Sequence, residues 1–229
     1  MKYKILGLIP ARGGSKGIIK KNIIPIAGKP LLAWTIKAAQ KSCFLNKIVV
    51  SSDDIEILRI AKNYNCEIIK RPKKYATDYA SSASVVVHTL QYLKRKENYV
   101  PDIVVLLQPT SPLRTVVDID SAIKLFLRRK ADALISVTEG DNKCLKCFFM
   151  KKGILKGIVN NDFPFISRQL LPKIYMPNGA IYIVLEKKFR KYKKLFLKNT
   201  IGFLMDKEKS IDLDKPEDIP FLENFLKKL

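Results

Sequence analysis

The amino-acid sequence predicts an α/β protein in which helices cover both faces of a central sheet, making three layers. Short apolar runs alternate with longer amphipathic segments over the first 140 residues. Residues 103–107 are almost purely apolar, as expected of a strand that is buried on both faces. The chain has 229 residues and is 47% hydrophobic, which is enough to fill a sizeable core. In such a domain, ligands bind at the carboxyl ends of the strands.

Strands and helices are predicted to alternate along this part of the chain. The predicted strands are residues 5–9, 47–51, 66–69, 103–107 and 133–137. The predicted helices are residues 30–41, 55–64, 81–95 and 117–129. Pro30 suits the first turn of the first helix, and either Ser81 or Ser82 is expected to cap the third.

The pattern changes after residue 140. Residues 143–177 contain three prolines, Gly153, Gly157 and the pair Asn160-Asn161, with short apolar stretches between them. This composition predicts a β-rich arm inserted into one domain that spans residues 1–229. Residues 179–185 return to the strand pattern, and residues 216–229 are predicted to form a closing helix.

Composition restricts the functional classes. The net charge of +22 favours an anionic partner or substrate, but 34 of the 43 basic residues are scattered lysines, which compositional drift explains equally well. No apolar run approaches the roughly 20 residues of a membrane-spanning helix, and no signal-peptide pattern is present, so we expect a cytoplasmic protein. The four cysteines lack the spacing of a zinc site and are interpreted as reduced thiols.

The strongest local signal is the sequence IPARGGSKG at residues 9–17, which follows a predicted strand. Glycines let backbone amides approach phosphate oxygens, while Arg12, Lys16 and Lys21 can offset several negative charges. The segment matches neither a Walker A loop nor the dinucleotide fingerprint. A basic surface turn is the alternative interpretation.

A second polar loop, LLQPTSPLR at residues 106–114, leaves the most apolar strand. Gln108, Thr110 and Ser111 offer donors and acceptors, and Arg114 can bind a carboxylate or a phosphate. A structural turn would explain the two prolines but not the whole polar set. We therefore favour a binding role for this loop.

The sequence SIDLD at residues 210–214 is the best metal candidate. In an extended segment, Asp212 and Asp214 point to the same face and can meet one hard cation. Mg²⁺ typically takes one or two carboxylates together with substrate phosphates. The alternative is that Asp214 only caps the final helix.

Other features are weaker signals. Turn chemistry explains the polar loop at Arg71 and the segments beside Arg168 and Asn178 as well as a binding role does. The single histidine, His88, is predicted to pack within a helix rather than to act in catalysis. Residues 187–198 hold seven basic residues in twelve, which predicts a solvated helix face.

Taken together, these segments resemble the acylneuraminate cytidylyltransferases, also called CMP-sialic acid synthetases, along essentially the whole chain. The motifs that carry the resemblance are IPARGGSKG with KN at 21–22, SSDD at 51–54, RP at 71–72, LLQPTSPLR at 106–114, RQLLP at 168–172, PNGAIYI at 177–183 and SIDLD at 210–214. One such motif is a weak signal, whereas seven in the family's order and at its spacing are highly specific.

The resemblance implies a Rossmann-like nucleotidyltransferase fold and a homodimer that exchanges the arm at about 143–177. It also implies Mg²⁺-dependent transfer of CMP from CTP to a nine-carbon nonulosonic acid, with release of pyrophosphate. The pair Gly13-Gly14 resembles the branch that handles bacterial analogues such as legionaminic or pseudaminic acid. Neither a nucleic acid nor a membrane is expected as a partner.

Site residues are carried over by position. Those implied to bind CTP are Ala11, Arg12, Gly13, Ser15, Lys16, Lys21, Asn22, Arg71 and Ser82. Those implied to bind the sugar acid are Gln108, Thr110, Ser111, Arg114, Arg168, Asn178 and Tyr182, with Arg168 and the arm acting near the partner subunit's site. Asp212 and Asp214 would bind Mg²⁺, and with Arg12 and Lys21 they form the implied catalytic set.

Two alternatives remain from the sequence. A cytidylyltransferase for the eight-carbon sugar acid KDO shares the fold and the chemistry, but its phosphate loop differs from ARGGSKG. A non-enzymatic nucleic-acid-binding protein would account for the net charge of +22 and would bind with steep salt dependence. It would leave the two aspartates and the loop at 106–114 unexplained.

Overall fold

The computed structural model of the chain describes residues 3–15, 17–77 and 79–228. Its strands are β1 (Ile5–Pro10), β2 (Pro25–Ile26), β3 (Lys29–Pro30), β4 (Lys47–Ser52), β5 (Glu67–Lys70), β6 (Ile103–Leu107), β7 (Ala133–Glu139), β8 (Phe148–Lys151), β9 (Ile154–Gly157), β10 (Tyr175–Leu185) and β11 (Thr200–Leu204). Its α-helices are α1 (Leu31–Gln40), α2 (Ile55–Asn63), α3 (Ser82–Glu97), α4 (Val116–Arg129), α5 (Glu186–Tyr192) and α6 (Asp218–Leu226).

Seven strands form one sheet in the order β11-β7-β10-β6-β1-β4-β5. All neighbouring pairs are parallel except those of β10, which runs antiparallel to both β6 and β7. Because β10 follows the inserted arm, the chain re-enters the sheet from the opposite end and fills the position between two parallel strands. The remaining strands form two separate two-stranded ribbons, β2-β3 and β8-β9.

Helices cover both faces of this sheet, which confirms the three-layer prediction. Alternate side chains of each central strand face opposite cores, as the two-residue period of a strand requires. On one face, Ile5 and Ile103 pack in the cluster that contains apolar residues of α1, α2 and α4. On the other face, Leu8 and Val104 pack with residues of α3 and α5. β6 is buried at all five positions, as its sequence predicted.

Helix α3 begins as the sequence predicted, with Ser81 at its N-cap position. The Ser81 hydroxyl oxygen accepts a hydrogen bond from the backbone N–H of Ser84. Helix α4 begins with a reciprocal capping box formed by Thr115 and Asp118. No helix of the described residues is long and apolar enough to cross a membrane.

Several boundaries differ from the sequence prediction. The closing helix starts at Asp218 rather than at residue 216, and only the first part of residues 187–198 is helical, because α5 ends at Tyr192. Strand β11 lies at the sheet edge and was missed, since its sequence TIGFL is short and half-exposed.

Candidate active site at the carboxyl edge of the sheet

A polar cleft of about 460 Å³ lies where β1, β5 and β6 end. Ten of the residues singled out in the sequence line it: Arg12, Ser15, Lys21, Asn22, Arg71, Ser82, Gln108, Thr110, Asp212 and Asp214. They come from five separate segments of the chain. The structure thus brings the glycine-rich loop, the loop after β6 and the aspartate pair together in one place.

The glycine-rich loop is anchored to the chain that leaves β4. The Ala11 backbone N–H donates to the Ser51 carbonyl oxygen at 3.0 Å, and the Gly13 N–H donates to Asp53 Oδ1 at 3.2 Å. A Cβ atom on Gly13 would lie 2.7 Å from Asp54 Oδ2, so only glycine fits there without a shift. Lys16, which the resemblance placed on CTP, lies outside the described residues.

Arg71 is a buried cation of the cleft. It is only 4% exposed, and its backbone N–H donates to the Ser52 carbonyl oxygen at 2.7 Å. Its guanidinium lies 3.7 Å from Asp53 Oδ1, and among the described residues its buried Nε has no hydrogen-bond partner. Burial lowers the pKa of Arg71, the Arg12 charge adds to that shift, and Asp53 opposes it. An anion bound in the cleft would offset the electrostatic cost of burying the Arg71 charge near Arg12.

Asn22 anchors the glycine-rich loop through a backbone carbonyl of that loop. Its Nδ2 donates to the Arg12 carbonyl oxygen at 2.8 Å, whereas its buried Oδ1 has no hydrogen-bond partner among the described residues. Asn22 therefore has one polar atom engaged in holding the loop and one that a ligand can satisfy.

Lys21 connects the segment after the glycine-rich loop to the 210–214 segment. Its Nζ donates to the Leu213 carbonyl oxygen at 2.6 Å and to Asp214 Oδ1 at 3.1 Å. Nearby, a Cβ atom on Gly17 would lie 2.6 Å from the Asp214 carbonyl oxygen. The glycine at position 17 is thus explained by the close approach of this segment to the aspartate pair.

Asp212 is the half-buried carboxylate of the cleft. The Ser111 hydroxyl donates to its Oδ1 at 3.1 Å. Burial raises the pKa of Asp212, and the neighbouring charge of Asp214 raises it further, while the Thr110 and Ser111 hydroxyls and the Lys21 ammonium oppose the shift. Two like charges held side by side favour a cation between them.

Arg114 does not line the cleft, in contrast to the role that the resemblance implied. It is 2% exposed and lies beneath the 108–114 loop. One of its Nη atoms donates to the carbonyl oxygens of Gln108 and Ala180 at 3.0 and 2.8 Å, and the other donates to Thr35 Oγ1 at 2.7 Å. Both Nη atoms are used to hold the loop, so the role of Arg114 toward the cleft is structural support.

Ser111 and Asn178 also lie behind the cleft wall. Both are buried, and the Asn178 Nδ2 donates to Ser210 Oγ at 2.9 Å while its Oδ1 accepts the Ala180 N–H at 3.2 Å. They fix the 210–214 segment against β10 and thereby position Asp212.

The remaining implied residues lie elsewhere. Burial raises the pKa of Tyr182 on β10, and the Asp212 charge adds to that shift, but Tyr182 is not among the residues that line the cleft. Arg168 lies on the arm, 3.3 Å from Asp141, and outside the cleft of its own chain. Ala11 is fully buried, and neither it nor Gly13 lines the cleft.

Sequence reasoning missed two residues near this cleft. Asp53 contacts both the glycine loop and Arg71, although the SSDD motif had only suggested a family likeness. Tyr75 lines the cleft and packs against His88 in a tilted arrangement, with ring centroids 5.1 Å apart. His88 does not line the cleft, and burial lowers its pKa, in agreement with a packing role.

Comparison with known families decides the assignment. A family model described as cytidylyltransferase matches residues 6–228. The chain belongs to the cytidylyltransferase family. This confirms the family that the seven motifs predicted, and with it the prediction that the protein is a nucleotidyltransferase enzyme.

Curated relatives of this cytidylyltransferase have three kinds of named substrate. An N-acylneuraminate cytidylyltransferase of Escherichia coli is 34% identical over 95% of the chain, which spans 51% of that relative's length. A pseudaminic acid cytidylyltransferase of Campylobacter jejuni is 32% identical, with 95% of this chain and 94% of the relative covered. A CMP-N,N'-diacetyllegionaminic acid synthase of Legionella pneumophila is 33% identical, with 97% and 96% covered.

Solved structures show the same fold. A CMP:2-keto-3-deoxy-manno-octonic acid synthetase complexed with CTP superposes with a TM-score of 0.74 at 14% identity, covering 98% of this chain and 99% of that one. A 4-diphosphocytidyl-2C-methyl-D-erythritol synthase superposes with a TM-score of 0.71 at 12% identity, covering 99% of both chains. At these identities the likeness extends to the fold alone.

Proposed function

We propose that this cytidylyltransferase transfers CMP from CTP to a nine-carbon nonulosonic acid and releases pyrophosphate. The observation that carries the proposal is the convergence of three cations, Arg12, Lys21 and Arg71, with two carboxylates in one cleft. Relatives at 32–34% identity whose names state N-acylneuraminate, pseudaminic acid and legionaminic acid as substrates support the acceptor class.

The nucleotide occupies the half of the cleft formed by the glycine loop, Arg71 and Ser82. Arg71 is buried near the charge of Arg12, and the Nε of Arg71 has no hydrogen-bond partner within the described part of the chain. An anionic ligand would stabilise this arrangement. The open backbone of the glycine loop lets amides approach phosphate oxygens. Lys21, at the floor of the same cleft, balances part of the triphosphate charge.

The sugar acid binds beside Gln108 and Thr110, which line the cleft at the end of β6. The anomeric hydroxyl oxygen of the sugar forms a bond to the α-phosphorus of CTP. The bond from that phosphorus to the bridging oxygen breaks, pyrophosphate leaves with the electron pair, and the hydroxyl proton is released. Such transfers depend on positioning and on charge stabilisation rather than on a covalent nucleophile.

We propose Mg²⁺ as the cofactor, held by Asp212 and Asp214. Their oxygen donors suit a hard cation, and a cation would reverse the burial and like-charge effects that raise the pKa of Asp212. When bound, the ion would withdraw charge from the phosphate oxygens. Lys21, which contacts Asp214, keeps the carboxylate pair aligned with the glycine loop.

We also propose that the enzyme is a cytoplasmic homodimer formed through the arm at about 143–177. The β8-β9 hairpin exposes apolar side chains, including Phe149, Met150 and Ile154. A second copy of the chain would cover them and would bring Arg168 near the partner's cleft. CTP is an intracellular nucleotide, which supports the cytoplasmic location.

The test is pyrophosphate release by the purified protein with CTP and Mg²⁺. Separate reactions contain N-acetylneuraminic, legionaminic or pseudaminic acid or KDO, and UTP replaces CTP in a control. We expect release with at least one nine-carbon acid and CTP. Release with KDO alone would transfer the assignment to the eight-carbon sugar acid, and no release from the folded protein with any acceptor would reject the proposal.

A further inference from the structure

A second basic cavity of about 540 Å³ lies between α1, the start of α4 and the end of α6. As far as the described residues show, it shares no lining residue with the active-site cleft. Four lysines line it: Lys29, Lys37, Lys41 and Lys227. Three of them lie within residues 29–41, and the fold brings Lys227 to them from the end of α6.

No acidic residue is among those that line this cavity in the described part of the chain. None of its four lysines has a carboxylate partner within 4 Å among the described residues. Asp118, in the first turn of the neighbouring α4, accepts hydrogen bonds from Thr115 and pairs with Lys209 at 3.4 Å. Its charge is therefore already engaged.

Buried Arg114 adds a fifth positive charge at the wall of the cavity. Its Nε is buried and has no hydrogen-bond partner among the described residues. Burial lowers the pKa of Arg114 to about 10, and the charges of Asp118 and Asp212 oppose that shift. Lysines that line one cavity with no acidic residue among its described lining repel one another, and a multivalent anion is the ligand that reverses this cost.

We propose that this cavity binds a polyphosphate, either free pyrophosphate or tripolyphosphate or the phosphate chain of a nucleotide. A polyphosphate carries several charges in a compact, oxygen-rich chain, which matches lysines that converge on a concave site. A monovalent anion would leave most of that positive charge unbalanced.

The site lies against the same loop that lines the active-site cleft. Pro112 and Arg114 line the second cavity, whereas Gln108 and Thr110 line the cleft. Arg114 joins the two because its Nη1 donates to the Gln108 carbonyl oxygen. A polyphosphate at the second site thus contacts the back of the loop whose front binds substrate.

Trp34 provides a direct test, because it is the only tryptophan of the sequence and lines this cavity. The Lys29 Nζ lies 4.1 Å from the centroid of the Trp34 ring. An anion that binds the Lys29 ammonium group therefore changes the environment of the indole. The probe is inorganic tripolyphosphate, titrated without Mg²⁺ while tryptophan fluorescence is recorded. The protein is the Lys21→Gln variant, which weakens phosphate binding in the cleft.

We expect a saturable fluorescence change that is the same in wild type and in Lys21→Gln. Lys41→Gln/Lys227→Gln should weaken the apparent affinity at least about tenfold, because two charged partners are lost. The matched control Lys187→Gln/Lys198→Gln removes two exposed lysines elsewhere and should stay within about twofold of wild type. All four lysines are exposed, so these variants keep the fold.

Parallel titrations with pyrophosphate and CTP distinguish the sources, since tighter binding of one identifies it as the ligand. Loss of the signal in Lys21→Gln would assign it to the cleft and overturn the proposal. Equal weakening by both double variants would also overturn it, because the effect would then be general charge. Tighter binding of a single-stranded RNA than of tripolyphosphate would replace it with a nucleic-acid site.

Discussion

The cleft and the arm both contain groups in an unfavourable environment, but the groups are polar and buried in the cleft and apolar and exposed on the arm. In the cleft, charged groups are partly withdrawn from water, and Arg71 and Asn22 each retain a buried polar atom without a partner among the described residues. On the arm, apolar groups remain in water: Phe149 is 64% exposed, Ile154 74% and Phe165 83%.

The buried polar atoms and the exposed apolar side chains indicate different kinds of partner. Buried polar atoms without hydrogen bonds are costly, and a polar ligand restores the bonds. Exposed apolar surface is costly in proportion to its area, and another protein surface removes it from water. The comparison teaches that the proposed small-molecule site and the proposed association surface lie in different parts of one chain, so separate substitutions can affect them independently.

The largest expected effect is that of Asp212→Asn in the cleft. Loss of the carboxylate should lower kcat by roughly 10²- to 10³-fold, as when a group that stabilises transition-state charge is removed. Steady-state pyrophosphate release measures this. Asp206→Asn, an exposed carboxylate outside the cleft, is the control and should keep its rate. Full activity in Asp212→Asn would contradict the metal assignment.

The same substitution should raise stability. A folded-state pKa above the unfolded value means that the charged form of Asp212 costs stability at neutral pH. That cost shrinks as the pH falls through the raised pKa, and it vanishes below the unfolded-state pKa, where both states are protonated. We expect a higher thermal midpoint for Asp212→Asn at pH 7, by about 2–4 °C for each kcal/mol relieved, and little difference from wild type near pH 3.

The next largest effect belongs to the arm. Phe149→Asp places a charge on its apolar surface and should weaken self-association at least about 30-fold, the effect of losing an aromatic anchor. Sedimentation should then give a mass near 26.1 kDa, against twice that value for wild type. Phe196→Asp, at a 70% exposed phenylalanine outside the arm, is the matched control. A dimer that survives Phe149→Asp would place the interface elsewhere.

A pair of glycine substitutions tests the fit of the phosphate loop. A Cβ atom on Gly17 would lie 2.6 Å from the Asp214 carbonyl oxygen, whereas one on Gly14 would have no neighbour within 4 Å among the described residues. We expect Gly17→Ala to lower kcat/KM by about tenfold, from a strain of about 1–2 kcal/mol, and Gly14→Ala to remain near wild type. Similar losses in both variants would show that loop flexibility, not this contact, is what matters.

The smallest effect is expected for Asp53→Asn, which tests a positioning role. The amide can still accept the Gly13 N–H, but it no longer carries the charge that faces Arg71. We expect KM for CTP to rise by about five- to tenfold with kcat nearly unchanged, from a loss of about 1 kcal/mol. A fall in kcat at unchanged KM would instead indicate that Asp53 acts in the chemical step.

Much of the site was predictable because strand ends are local features. The run of five apolar residues in β6 predicts where that strand stops, and the 106–114 motif must then emerge at the carboxyl edge of the sheet. The same reasoning applies to β1 and the glycine loop. Asp212 and Asp214 were found because alternate residues of an extended segment share a face.

Arg114 shows where this reasoning fails. A basic residue in a polar loop is expected to face a ligand, yet the carbonyl oxygens of Gln108 and Ala180 and the hydroxyl of Thr35 take its donors. Ala180 is 66 residues away in sequence. No local pattern identifies a partner at that separation. Asp53 escaped notice for the same reason, because its contacts to Gly13 and Arg71 exist only in the folded chain.

The sequence by itself determined the α/β layering, the family and most of the residues that line the cleft, because these depend on local periodicity and on motif order. Only the tertiary structure decided that β10 enters the sheet antiparallel, that Arg114 supports the loop from inside, and that Lys21 reaches Asp214 across 193 residues. The physical reason is that the spacing of apolar residues in the sequence indicates which face of an element is buried. Which residues contact that face depends on how the whole chain packs.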